Sequence, residues 1–312
     1  MSFSPLDREL GLLPGALTPG LAEQVAYLGM LLPFAQARAV VERCYRVYVS
    51  EPMVRRRTYA AGEAAIAEEA AFVARLEETL ACPEGEAPVR QQVSADGAMV
   101  RTRDEGWKEV RTVSIGTVST AKDGPQVSAQ SYYARLCDSE SFIRGCRGEF
   151  FLRGTEKVRD VEAVMDGADW LMKLVDEHCP QAVRILDFTH AADAVIEAGR
   201  AVFGQGNEAC AAWIGPQLYE LRHGAANKVL AAILALAEAP ELTSEIRQTV
   251  YGSHAYLARR LEQIQYAAFA ASGYCIGSGM AESANRHVVQ ARLKGAGMQW
   301  LAANVNPMLA LR

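Results

Sequence analysis

From Thr18 to about Ala81 the apolar positions keep a helical spacing: Leu21, Val25, Leu28 and Leu31 recur every third or fourth residue, Phe34 to Tyr45 repeats the pattern, and Ala60 to Leu80 reads as a long Ala/Glu helix. Ser50, Glu51 and Pro52 make a helix start, with the serine as N-cap and the other two in the first turn. A helix, a short turn over Arg46 to Val49 and a second helix opening on Arg55, Arg56 and Arg57 fit a helix-turn-helix or a plain helical hairpin with a solvated basic edge. Residues 1–18, rich in Pro and Gly, read as an irregular arm. Cys82-Pro83-Glu84-Gly85-Glu86-Ala87-Pro88 is turn-rich and is the best domain boundary.

Past that break the period becomes that of strands. Val89 to Val100, Trp107 to Gly116 and Val127 to Tyr133 are separated by Gly-, Asp- and Lys-rich turns. Ser139 to Leu152 returns to helix and ends at Gly154; Val161 to Met165 is a short strand, Trp170 to His178 a helix stopped by Pro180, and Ala182 to Asp187 a further strand closed by Phe188-Thr189-His190. Three hairpin strands followed by helix, strand, helix and strand describe an α/β fold with a mixed sheet flanked by helices. Residues 190–270 are almost wholly helical, broken at Gly204 to Asn207 and near Pro240, and sit before the closing helix as an insertion would. The expected division is 1–85, a helical region; 86–200, the first part of an α/β core; 201–270, a helical insertion; and 271–312, a last core helix with its tail.

Composition narrows the function. Half of the 312 residues are hydrophobic, enough for a substantial core. The longest apolar runs, such as Lys228 to Ala239, are broken well short of the roughly 18 residues a membrane helix needs. Met1 to Asp7 has no basic stretch leading into an apolar one, as a secretory signal would. Seven cysteines stand singly with no Cys-x-x-Cys pair, which fits a reducing compartment and argues against a disulfide framework or zinc ribbon. A soluble cytoplasmic protein without a membrane partner is expected. The net charge of -5 requires that any nucleic acid be held by local basic patches.

Three acids stand beside glycine at strand or helix ends: Asp96 in Ser94-Ala95-Asp96-Gly97, Asp166 in Met165-Asp166-Gly167, and Glu282 after Gly277-Ser278-Gly279. Carboxylates on two neighbouring strands and one on a packed helix would suit Mg²⁺, which takes hard oxygen ligands and supports in-line phosphoryl transfer. Each has a plainer explanation too, since Asp-Gly is a common turn and a first-turn Glu is favoured by the helix dipole. Asp187-x-x-His190 marks a strand-to-helix junction, where a histidine caps or braces more often than it ligates. His178 and Cys179 lack a fourth zinc ligand at the usual spacing. A phosphate-binding loop, a dinucleotide fingerprint, Gly-x-Ser-x-Gly and His-Glu-x-x-His are all absent from the sequence.

In this order the motifs resemble the ISKra-type DDE transposases of bacterial insertion sequences. The likeness runs through Pro5 to Leu12, Val93 to Gly97 with Trp107 to Val110, Asp166 to Trp170, Ile185 to Ala191, and Ile276 to Glu282 with Arg292 to Trp300. It implies an RNase H-like fold with Asp96 on the first strand, Asp166 after the fourth, and Glu282 on a helix beyond the insertion. Those acids would be both catalytic residues and ligands of Mg²⁺ or Mn²⁺, as two ions. Asp187 is the alternative second acid; with His190 it otherwise supports the site, as the Asp/Cys-x-x-His signature of Mutator-like relatives does. The implied partner is double-stranded DNA, at element ends and target, near the bacterial nucleoid, with the protein acting as a homodimer. Arg55, Arg56 and Arg57, and downstream Arg286, Arg292 and Lys294, would contact DNA or form solvated helix faces; Trp300 would stack on a base or pack in the core. Family members carry further sequence, often with cysteine pairs, before the Pro-Leu-Asp segment, and are usually basic. A truncated or domesticated relative acting as a non-catalytic DNA-binding or interaction protein is therefore the alternative.

Overall fold

A computed structural model describes residues 17–79, 82–83, 85–122 and 124–312. The arm expected over residues 1–18 lies almost wholly outside them, as does the Pro5 to Leu12 segment. The chain opens with α1 (Pro19–Leu31), α2 (Phe34–Tyr45) and α3 (Glu51–Thr79). Thr18 caps α1 by accepting the Leu21 N–H at 3.3 Å, with Pro19 pre-set for the first turn. Arg46 ends α2 in the left-handed conformation, and Ser50 Oγ caps α3 at the Met53 N–H, 3.3 Å away. The helix start read at Ser50 to Pro52 and the Ala/Glu helix read from Ala60 are one element, α3, which begins at Glu51 behind its Ser50 cap. Val25, Val41, Val49 and Val54 knit the three helices together.

Next come β1 (Arg90–Thr102), β2 (Gly106–Ala121), β3 (Gly124–Arg135), α4 (Ser139–Leu152), β4 (Asp160–Met165), α5 (Asp169–His178) and β5 (Val183–Leu186). One five-stranded sheet results, in the order β3-β2-β1-β4-β5. β1 to β3 form an antiparallel meander, and β4 and β5 run parallel to β1. The chain is therefore α/β, a mixed sheet flanked by helices. Because side chains alternate across a strand, odd-numbered residues of β1, β2 and β4 share one face and even-numbered ones the other. The odd face is apolar: Val93, Ala95, Val113, Ile115, Val161, Ala163 and Met165 pack under Phe142, Cys146 and Phe150 of α4 and Leu171, Leu174 and Val175 of α5.

α6 (Phe188–Phe203), α7 (Glu208–His223), α8 (Ala226–Ala237), α9 (Ser244–Ala258) and α10 (Tyr266–Ala271) follow. They share a second core with Val164, Ile185 and Leu186 of the sheet. The chain then crosses the even face through α11 (Gly279–Ala284), a π-helical turn (Asn285–Gln290), α12 (Ala291–Leu293) and α13 (Ala302–Ala310). Val288, Val289, Leu293, Trp300 and Met308 from this segment bury Ala98, Val100, Val110 and Ala134 of the sheet. α13 lies so close to α3 that a Cβ on Gly62 would fall 1.9 Å from the Pro307 carbonyl oxygen. Among the described residues no helix is long and apolar enough to cross a membrane.

Candidate functional site

The parallel pairing of β1 with β4 runs from Arg90 opposite Asp160 to Val93 opposite Ala163, and the same offset continued three residues further would bring Asp96 opposite Asp166, the residue after β4. Asp96 is an even-face residue in the middle of β1, and Asp166 is the residue that follows the carboxyl end of β4. Asp166 is held by its turn: its Oδ1 accepts the Ala168 N–H at 2.7 Å. Tyr256 Oη donates to the Asp166 carbonyl at 2.9 Å and Arg260 Nη2 to the Gly167 carbonyl at 2.8 Å. Gly167 has φ 85°, and a Cβ there would meet Arg260 Nε at 2.7 Å, so this clamp requires glycine.

Asp96 accepts the Gly97 N–H on Oδ1 at 2.7 Å and Asn285 Nδ2 on Oδ2 at 2.9 Å. Burial pushes its carboxyl above the usual range and the neighbouring Asp166 charge adds to that; the Gly97 and Asn285 hydrogen bonds and the His190 imidazole oppose the shift. Asp166 and His190 are thus both within electrostatic reach of Asp96.

Asp187 has a different part. It ends β5 and caps α6, so Phe188, Thr189 and His190 form the first helical turn rather than closing the strand. Its Oδ1 accepts the Thr189 and His190 N–H groups at 2.7 and 3.3 Å, and its Oδ2 accepts the Ser278 N–H. Burial works to raise its pKa, but the hydrogen bonds from Ser278, Thr189 and His190 outweigh it and leave the carboxyl below the usual range. At 4% exposure, with both oxygens committed to backbone amides, Asp187 is a brace.

Every residue from Ser272 to Ser278 is tied down. Arg90 Nη1 donates to the Ser272 and Gly273 carbonyls at 3.2 and 2.7 Å, and its guanidinium lies over the Tyr274 ring at 4.5 Å while pairing with Asp160. Tyr274 Oη donates to Asp160, the Cys275 N–H to Glu162, the Phe188 N–H to the Ile276 carbonyl, Gln92 Nε2 to the Gly277 carbonyl, and the Ser278 N–H to Asp187. Glu162 is fully buried, and desolvation pushes its carboxyl up to about 7. This strap delivers the chain to α11.

Within the helical segment that follows, burial comes in doublets: Met280 and Ala281, Ala284 and Asn285, Val288 and Val289, Arg292 and Leu293. A four-residue repeat drifts out of phase with an α-helix of about 3.6 residues per turn. The wider π turn from Asn285 to Gln290 restores the phase, so the pattern of apolar positions accounts for the irregular helix. Glu282 falls between doublets, on the outer face. Its side chain is 75% exposed and its Oε1 lies 3.6 Å from Arg286 Nη2. The structure thus brings Asp96 and Asp166 together and seats Asn285, rather than Glu282, against Asp96. Among the described residues no three His, Cys, Asp or Glu side chains group closely enough to hold a metal ion. As arranged, the three expected acids do not fit a shared cation.

The expected cationic contacts divide. Arg292 is 2% exposed, its guanidinium 4.8 Å from the Phe34 ring centroid and 4.9 Å from that of Trp300, with Nε and Nη2 donating to the Gly29 carbonyl at 3.3 and 3.2 Å. Burial pulls its pKa down to about 10. It is a packing element and not a phosphate contact. Trp300, whose Nε1 donates to the Leu293 carbonyl at 3.1 Å, is likewise core rather than a base platform. Arg286 and Lys294 are exposed. On α3, Arg55 pairs with Glu51 at 2.8 Å, Arg56 is exposed and Arg57 is half-buried.

Sequence reasoning passed over Asn285, Glu162, Tyr256 and Arg260. Glu162 did leave a signal, a lone charge in Val161-Glu162-Ala163-Val164-Met165. No family model matches the chain, and no curated protein matches it.

Proposed function

We propose that this protein is the catalytic core of a DDE-type polynucleotidyl transferase, cutting and joining double-stranded DNA by in-line phosphoryl transfer, as its resemblance to ISKra-type transposases implies. The observation that carries the reading is the Asp96 and Asp166 pair, one on β1 and the other just after its parallel neighbour β4, close enough that the Asp166 charge raises the pKa of Asp96. The strand order β3-β2-β1-β4-β5, with an antiparallel meander and two parallel additions, is compatible with an RNase H-like sheet.

Mg²⁺ or Mn²⁺, as two ions, is the cofactor this reading implies, and such ions would neutralise phosphodiester charge and activate the attacking water. The chain itself supplies orientation: the Gly97 amide and Asn285 fix Asp96, and the Tyr256 and Arg260 clamp fixes Asp166. Glu282 is the third acid that the resemblance implies, and it lies on the outer face beside Arg286. Exposed Arg56, Arg286 and Lys294 are the cations available to DNA at element ends and target. A homodimer holding two ends belongs to the same reading.

The test is nicking and strand transfer on labelled duplex DNA with Mn²⁺. Asp96→Asn and Asp166→Asn, with unchanged circular dichroism, should each lower the rate by more than about a hundredfold, beyond the loss expected of a supporting ligand partner. Full activity in both variants would sink the assignment. The outward Glu282 favours a second reading, a non-catalytic DNA-binding relative. That one expects salt-sensitive binding without cleavage, lost when Arg55, Arg56 and Arg57 are changed to Ala.

A further inference from the structure

The β1 and β2 hairpin outruns the helices that cover the odd face of the sheet. Arg111, whose guanidinium lies 5.5 Å from the Trp170 ring centroid, is near the limit of that cover. Beyond it, Met99 and Arg101 of β1 stand opposite Glu109 and Trp107 of β2 on the same face. Met99 is 44% exposed and Trp107 56%, although the even face at this level is closed by Val288, Val289 and Trp300. Arg101 places its guanidinium 5.8 Å from the Trp107 ring centroid. Of the chain's four tryptophans, Trp170 and Trp213 are half-buried and Trp300 is core, so Trp107 is the one that presents its ring to solvent.

The tip that carries this ring is tied down. The Arg103 N–H donates to the Trp300 carbonyl at 2.8 Å and the Trp300 N–H to the Arg101 carbonyl at 3.2 Å. Thr102 Oγ1 donates to the Gly106 carbonyl at 2.7 Å, and Gly106 closes the turn with φ 77°. The acids of the tip are all committed: Asp104 accepts the Ala302 N–H at 3.1 Å, Glu105 pairs with Lys108 at 2.8 Å, and Glu109 pairs with Arg111 at 2.8 Å. Arg101 and Arg103 are exposed and have no carboxylate partner among the described residues. In a chain of net charge -5, an indole fixed beside two unneutralised guanidiniums is complementary to a ligand both flat and anionic. A base with its phosphates has that chemistry, because every base offers a π-face and arginine adds a planar cation to the stack. Duplex bases have their faces covered by neighbours, so the base must be unpaired.

We propose that the hairpin tip is a stacking platform for an unpaired base of a nucleic acid strand, with the base on Trp107 and its flanking phosphates on Arg101 and Arg103. The platform lies on the opposite sheet face from Asp96 and about 17 Å further along β1, at roughly 3.4 Å per residue. It is therefore separate from the carboxylate pair and stands whether or not those acids cut DNA.

The test reads tryptophan emission and the anisotropy of a labelled strand, with EDTA present so that cleavage plays no part. A single strand of about twelve nucleotides should bind and quench the emission. Trp107→Phe should abolish the quench while keeping most of the affinity, and Trp107→Ala should weaken binding by about tenfold. Changing Arg101 and Arg103 together to Gln should flatten the dependence of log affinity on log salt by about 1.4. An abasic strand of the same length should bind about tenfold more weakly and leave the emission unchanged. Should Trp107→Ala fail to fold, Trp107→Phe and the arginine pair carry the test. The proposal is overturned if the wild type does not bind the strand, if the quench survives in Trp107→Phe, or if a duplex of the same sequence quenches as strongly. Equal binding of the abasic strand or of polyglutamate also overturns it, the latter marking the tip as a site for an acidic protein. Strand binding with no nicking in Mn²⁺ would instead end the phosphoryl-transfer reading and leave the platform in place.

Discussion

The two faces of the central sheet are built on opposite principles. On the odd face, Val93, Val113, Ile115 and Val161 meet Phe142 and Leu174 through non-directional contacts, and any well-filled apolar interior of that shape would serve. On the even face, Gln92, Ser94, Asp96, Thr112, Ser114 and Glu162 are set into a sheet covered by the strap and the π-helical segment. Each of those groups needs a partner in a fixed direction. Where the strap supplies one, as for Glu162 and Asp187, the chain is pinned residue by residue. Where the strap does not reach, Asp96 takes its partners from the Gly97 amide and Asn285, while Thr112 Oγ1, Ser114 Oγ and Asn285 Oδ1 have none among the described residues. One face is held by apolar packing, and the other adds directional polar contacts to the apolar core around Val100 and Val110.

Three substitutions probe that contrast. The largest effect should come from the apolar face: Phe142→Ala removes a fully buried ring and should cost about 3–5 kcal/mol in urea denaturation. An Mn²⁺ affinity that survives in the folded fraction would keep the two faces separate. Next is Glu162→Gln. Glu162 titrates near 7 when folded but in the ordinary carboxylate range when unfolded, so its ionisation favours the unfolded chain. The penalty is absent at about pH 4, grows as pH rises and is complete above about pH 7, where Glu162→Gln should be the more stable by about 2–3 kcal/mol. Equal stability of the two proteins across that range would show that the buried acid is better served than its neighbours suggest. The smallest effect should follow Arg292→Lys, which exchanges a planar cation held between Phe34 and Trp300 for a compact one and should cost about 1–2 kcal/mol. Unchanged salt dependence of DNA binding in that variant would agree with its burial.

Much of the fold was legible. Period-two alternation and Gly/Asp turns marked β1 to β5 to within a few residues, except that β2 and β3 run on at both ends; Ser139 to Leu152 matched α4 at both ends, and Asp-Gly punctuation pointed to Asp96 and Asp166. The parallel register of β1 against β4 that brings those two acids near each other was not legible, because strand register depends on long-range partners. Arg292 misled because a terminal basic run normally faces solvent; its enclosure comes from Phe34, remote in sequence, and only packing reveals it. Glu282 misled because a glutamate in a first helical turn is favoured for its own sake, whichever way the helix is rotated. The four-residue doublets that set the rotation were in the sequence throughout, but Asn285 and Arg292 fill two of the buried places and hide the period from a purely apolar count.

The segment that covers the even face also fixes an order of events during synthesis. Arg292 reaches the Gly29 carbonyl, Arg312 reaches the Met30 carbonyl, and α13 lies on Gly62, so α1 and α3 close against residues made more than two hundred positions later. Such long-range closure is slow relative to local helix formation. While the ribosome is still adding α10, the strands carrying Asp96 and Asp166 can already pair, but Asn285 has not yet been made. An emerging chain therefore has its sheet before it has the segment that covers the sheet's even face.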